Sequence, residues 1–125
     1  MIVGIGTDLA AVARFARLYA RHGERVLAKI LAPSERLSFA QAQHPARFLA
    51  KRFAAKEAFG KALGTGVVAP ATLPALAVVH SAAGQPMFAY AAELAHYLEQ
   101  RGLLAHLSLS DEADFALAFV VLESR

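Results

Sequence analysis

Arg52, Lys56, Glu57 and Lys61 concentrate four ionisable side chains at helical spacing within ten positions of this sequence. At about 100° per residue, Phe48, Leu49, Phe53, Phe59 and Leu63 gather into one apolar arc, with Arg52 and Lys56 in its middle. Glu57 and Lys61 sit a turn apart on the other side, among Ala50, Ala54 and Ala58. A charge in an apolar stripe is costly to bury unless it is paired. Snorkelling of the long stems is one answer. Two cations a turn apart, beside a carboxylate and a further lysine, point instead to a bound anion.

Lys51, Arg52, Lys56 and Lys61, with the amides of Gly64, Thr65 and Gly66, form a set that could hold a pyrophosphate. The set is not a P-loop, because its glycines close a helix instead of opening one. Gly4-x-Gly6 is likewise too short for a dinucleotide fingerprint. Asp8 and Glu57 are the carboxylates best placed to act together, and with phosphate oxygens they would suit Mg²⁺, a hard ion that keeps several waters. The competing reading has Asp8 capping a helix and Glu57 paired with Lys61 at i, i+4. His22, His44, His80, His96 and His106 are scattered, which argues against zinc. Ser108 and Ser110 lie on an expected strand without a histidine beside them in sequence, and Ser110-Asp111 reads as a strand end entering a turn.

The elements that must position these residues follow from pattern. Ile2–Gly6 reads as a short strand, with Asp8 as N-cap of a helix over Ala10–Ala20. On that helix Arg14, Arg17 and Arg21 make one basic stripe. Glu24–Leu31 and a segment from Ser34-Glu35 to Ala42 are helical, and His44-Pro45 precedes the long helix Ala46–Leu63. Leu76–His80 and Pro86–Tyr90 predict a β-hairpin. Ala91–Arg101 predicts a helix, and Ala105–Ser110 and Phe115–Glu123 predict two strands around the acidic turn 111–114. The fold class is α+β, with helices packed on a small, mostly antiparallel sheet.

The chain has 125 residues with 57% hydrophobic content, enough for one domain spanning 1–125 with its own core. It has no apolar run of transmembrane length and no signal-peptide pattern at its start. Cysteine is absent, which excludes disulfides and thiolate chemistry and fits a reducing cytosol. Residues 1–61 hold eleven Lys and Arg against four Asp and Glu, whereas residues 62–125 hold two against six. Positive charge concentrated in the first half implies an anionic partner. Nucleic acid, a phosphorylated small molecule and an acidic protein all meet that description.

Three blocks narrow the choice. They are Ile5-Gly6-Thr7-Asp8; Arg52-Phe53-Ala54-Ala55-Lys56-Glu57-Ala58 running through Lys61 to Gly66; and Leu107-Ser108-Leu109-Ser110-Asp111. In order and separation they resemble the bacterial holo-acyl-carrier-protein synthase family, the small 4′-phosphopantetheinyl transferases, over essentially the whole chain. The middle block is the most specific.

The resemblance implies a reaction. Coenzyme A donates its 4′-phosphopantetheine arm to a serine of apo acyl carrier protein and releases adenosine 3′,5′-bisphosphate, a step that serves fatty acid biosynthesis. The family's Mg²⁺ ligands map onto Asp8 and Glu57. Lys61, with Lys56 and Arg52, would stabilise charge and position the donor, beside Gly64, Thr65, Gly66, Ser110 and Asp111. Glu57 and a metal-bound water are the candidates to accept the serine proton. The family docks its acidic carrier protein on the first helix, which points to Arg14 and, by extension, Arg17, Arg21 and Arg25. Many members carry histidine where this chain has Asp111, so a histidine base at that corner does not transfer. The resemblance further implies a cytoplasmic homotrimer with active sites between subunits, and no role for nucleic acid or membrane. A nucleic-acid-binding module would lack any known reader motif here. A regulatory domain would bind coenzyme A without turnover.

Overall fold

The computed structural model describes all 125 residues. Its first strand, β1 (Ile2–Ala11), is ten residues long and leads directly into α1 (Val12–His22). The expected boundary therefore moves: Asp8 lies within the strand, and the position before α1 is Ala11, which makes no side-chain cap. The cause is a long partner. Strand β5 (Phe115–Ser124) offers ladder positions as far as Ala11, with Asp8 opposite Ala118 and Ala11 opposite Phe115. Alternation then continues through Ala10, buried, and Leu9, exposed.

Two short helices follow, α2 (Glu24–Ile30) and α3 (Glu35–Ala40), and then α4 (Pro45–Leu63). Proline opens α4, where its missing N–H costs nothing. Gly64, in the left-handed conformation at φ 85°, closes it as expected. Leu73–Ala75 forms a single 3₁₀ turn before the hairpin β2 (Leu76–His80) and β3 (Pro86–Tyr90). Helix α5 (Ala92–Gln100) and β4 (Leu103–Asp111) complete the order. The sheet is in fact two: a three-stranded antiparallel sheet in the order β1-β5-β4, and the separate β2-β3 hairpin.

Helix α4 lies at the centre of the core, and its two sides pack differently. Ala54, Ala58 and Ala62 press onto the three-stranded sheet, whose inner face presents Gly4, Gly6, Ala10, Ala116 and Ala118. A Cβ at Gly6 would lie 2.7 Å from the Ala62 nitrogen and closer still to the Ala58 carbonyl oxygen. Helix backbone thus rests almost on strand backbone, an approach only glycine permits. The other side meets aromatic rings. Phe53 packs on Phe15 of α1 at 5.1 Å, and Phe59 meets Phe88 of β3 at 5.3 Å. The outer face of the three-stranded sheet has no such cover: Ile5, Leu9, Phe115, Leu117 and Phe119 are all exposed there.

Candidate active site

The alanine–glycine contact sets β1 beside the last turns of α4, and this brings three of the expected site residues together. Asp8 points to the α4 side of the sheet. The Lys61 ammonium donates to Asp8 Oδ1 at 3.1 Å and to the Thr7 carbonyl at 2.9 Å. Glu57, one turn before Lys61, is half-buried in the same group. Burial holds its carboxyl above the usual carboxylate range and the negative charge of Asp8 adds to the effect, while Lys61 and Arg14 oppose it. Asp8, Glu57, Lys61 and Arg14 are therefore one electrostatic cluster built from β1, α4 and α1.

The chain gathers no group of three or more His, Cys, Asp or Glu side chains in metal-binding geometry. Two oxygen donors that repel one another do not complete a zinc site. They do fit a hard cation that keeps water and takes its remaining ligands from phosphate oxygens.

Two other expected residues are somewhere else. Lys56 is wholly inaccessible, at 0% exposure, and its ammonium donates to Glu35 Oε1 and to the Ile30 carbonyl, each at 2.6 Å. Arg52, 7% exposed, sits with Nε 3.3 Å from Glu35 Oε2 and its guanidinium 4.0 Å over the Phe48 ring. The anion that these cations imply is thus an internal carboxylate, and their assignment to the donor site is corrected: neither is aimed at solvent. Desolvation lowers both pKa values, that of Lys56 to about 8, against the opposing pull of Glu35. Glu35 is not legible as their partner from the sequence. It opens α3 and looks like an ordinary first-turn acid, and no local spacing links it to a lysine 21 positions away.

The glycines after α4 are also engaged internally. The Gly64 and Gly66 amides both donate to the Gly60 carbonyl at 3.1 Å, and the Thr65 hydroxyl donates to the Gly66 carbonyl at 3.0 Å. Those two amides close the helix, so the expectation that they cradle phosphate is corrected. Ser110 and Asp111 end β4, with Ser110 opposite Leu117, which in turn faces Leu9 on β1. That places Ser110 about 10 Å from β1, two strand spacings away, and on the uncovered side of the sheet. Asp111 pairs loosely with Arg47 at 3.8 Å and Lys51 at 3.6 Å, at the opening half of α4. Within one chain these residues do not join the Asp8–Glu57 cluster.

Helix α1 places Arg14 and Arg17 on the surface, and Arg21 and Arg25 are exposed at and beyond its end. Between α1 and α2 lies a cavity of about 310 Å³, floored by Phe15 and Phe53 and edged by Arg14, His22, Arg25 and Lys29. No acidic side chain lines it. Arg14 thus belongs both to this basic rim and to the surroundings of Glu57.

A strand carrying an aspartate is thus laid against a helix that carries Lys-Glu with a further lysine one turn on. The model of the 4′-phosphopantetheinyl transferase superfamily matches residues 4–123, and the chain belongs to that superfamily. The holo-acyl-carrier-protein synthase of Aromatoleum aromaticum is 59% identical over 125 residues, covering 100% of both chains. Among solved structures, that of the holo-acyl-carrier-protein synthase from Neisseria meningitidis is similar at a TM-score of 0.95 and 46% identity, over 99% of this chain and 100% of that one. The synthase from Bacillus anthracis, crystallised in complex with CoA (3′,5′-ADP), is similar at a TM-score of 0.84 and 32% identity, over 100% and 99% of the two chains.

Proposed function

We propose that this chain transfers the 4′-phosphopantetheine arm of coenzyme A to a serine hydroxyl of an apo acyl carrier protein. The new bond joins the serine oxygen to the phosphorus that bears the pantetheine arm. The bond that breaks is that phosphorus to the bridging oxygen of the diphosphate, and adenosine 3′,5′-bisphosphate leaves. The observation that carries the reading is the Asp8–Glu57–Lys61 cluster at the β1–α4 contact, in a chain of this superfamily.

Asp8 and Glu57 would hold Mg²⁺, which when bound neutralises the diphosphate and stabilises charge on the leaving oxygen. Lys61 adds a fixed positive charge beside them, partly exposed and free to approach a phosphate oxygen while its stem stays anchored on α4. Arg14, Arg17 and Arg21 face an acidic carrier protein. Arg14 is best placed to do so, at the rim of the basic cavity and within electrostatic reach of Glu57.

Ser110 and Asp111 support a second part of the proposal. Ser110 stands at the edge of the uncovered apolar face, and Asp111, one position on, turns toward the opening half of α4; both are away from Asp8 of the same chain. A homotrimer joined through that face would let the β4 corner of one copy complete the donor site of another. No helix is long and apolar enough to cross a membrane. A cytoplasmic location accompanies the proposal, since coenzyme A is found there and the chain holds no cysteine. Incubation with coenzyme A, Mg²⁺ and an apo carrier protein, followed by mass spectrometry of the carrier, tests the reading. Addition of the arm mass is expected, and an unmodified carrier would overturn it.

A further inference from the structure

The Glu35 carboxylate gathers more of the molecule than any other side chain. It is 3% exposed and accepts from the Ala32 amide at 2.9 Å, the Val78 amide at 2.9 Å and the Lys56 ammonium at 2.6 Å. Through Lys56 it is tied to the Ile30 carbonyl, and through Arg52 to a second turn of α4. One acid thus joins the end of α2, the start of α3, the middle of α4 and strand β2.

We infer that Glu35 is a positioning residue for the transfer reaction: through Lys56 and Arg52 it fixes the rotation and axial setting of α4, and hence where Glu57 stands relative to Asp8. The inference rests on the assignment of Glu57 to the site. Three observations lead to it. First, the contact of α4 with the sheet is alanine on glycine, which permits close approach but has few protruding side chains to index rotation. Directional hydrogen bonds supply what that smooth surface lacks. Second, Lys56 directly precedes Glu57, so a turn of the helix that moves one ammonium moves the neighbouring carboxylate with it. Third, stability alone explains the cluster poorly. Buried ion pairs are often no more stabilising than apolar residues of the same volume, and fixing one register is their best-attested use. This cluster goes further by burying two cations against one acid.

The test uses the full chain with coenzyme A, Mg²⁺ and apo carrier protein. Glu35→Gln keeps one acceptor oxygen and removes the charge. Glu35→Gln/Lys56→Met removes both charges of the pair, and so avoids leaving a lone buried ammonium. Each is assayed for kcat, for KM toward coenzyme A, and for thermal unfolding. A displacement of about 1 Å at a reacting group can cost about 100-fold in rate. The expected result is a folded variant whose kcat falls roughly 10- to 100-fold with KM for coenzyme A within about twofold of wild type. A folded variant with wild-type kcat, or an activity loss no larger than the loss of folded protein, overturns the inference. So does failure of both variants to fold, which would leave the cluster a purely structural role. Glu57→Gln, run alongside, separates the two levels. If it is fully active, the site assignment itself fails; if it is inactive while the Glu35 variants are not, only the positioning role falls.

Discussion

Lys61 and Asp8 stand 53 positions apart in the chain, yet the lysine ammonium lies 3.1 Å from the aspartate oxygen. The lysine belongs to the last turn of the central helix and the aspartate to the opening strand, so this contact joins the two elements at the site. It also leaves Asp8 pulled two ways, toward the Lys61 cation and against the Glu57 carboxylate. A divalent cation would relieve the second of these.

Asp8→Ala and Glu57→Ala should each lower transfer by about 1,000-fold or more, and Lys61→Ala by about 100-fold, in line with loss of fixed charge at a reacting centre. Steady-state rates on coenzyme A and carrier protein check this. Mg²⁺ should also raise the melting temperature of wild type, because an ion bound only by the folded state stabilises it. The Asp8→Asn/Glu57→Gln variant should show no such rise. An equal rise in both would remove these carboxylates from the metal assignment.

Arg14→Glu should raise KM for the carrier protein about tenfold while leaving that for coenzyme A within about twofold, since surface charge acts mainly on encounter and orientation. The difference between variant and wild type should shrink as salt is added and screening sets in. Equal effects on both substrates would argue against docking at α1.

Gly6→Ala should cost about 3 kcal/mol, at the upper end of overpacking, and reduce the yield of folded protein. The added methyl would meet the Ala58 carbonyl, which is backbone and cannot swing aside. Urea unfolding measures the loss. A variant within about 0.5 kcal/mol of wild type, the range of an ordinary surface change, would show that α4 can lift from the sheet.

The buried Lys56 ammonium makes stability depend on pH. Burial lowers its pKa from 10.5 to about 8 in the folded chain. Between those values the unfolded chain holds more protons than the folded one, so the contribution of this group to stability rises with pH. Below pH 8, where both states are protonated, the cost of burying the ammonium is felt in full. Wild type should accordingly show a more positive slope of unfolding free energy against pH across this window than Lys56→Met. Denaturant titrations at several pH values compare the two, and identical slopes would contradict the shift.

Features set by neighbours in sequence were the legible ones. The hairpin ends Leu76–His80 and Pro86–Tyr90 coincide with expectation because Gly84 and the polar residues around it mark the turn between two apolar runs. The C-cap at Gly64 was equally plain. What depended on distant partners was not. The strand through Asp8 extends because β5 is long enough to pair with it, and nothing in residues 7–11 announces that. In the sequence Arg52 and Lys56 point to a bound anion, and no local spacing shows that Glu35 supplies the counter-charge from within the core instead. Asp8, Glu57 and Lys61 were named from their chemistry and from family likeness, and the fold does assemble them.

The bare outer side of the three-stranded sheet carries a practical consequence. If copies of the chain must cover Ile5, Leu9, Leu117 and Phe119 for one another, then folding and assembly share one equilibrium. The melting point would climb as the protein is concentrated, and specific activity would decay on dilution as the β4 corners lose their neighbours. An assay run at trace enzyme would then report the dissociation constant of the assembly more than the rate of the chemistry.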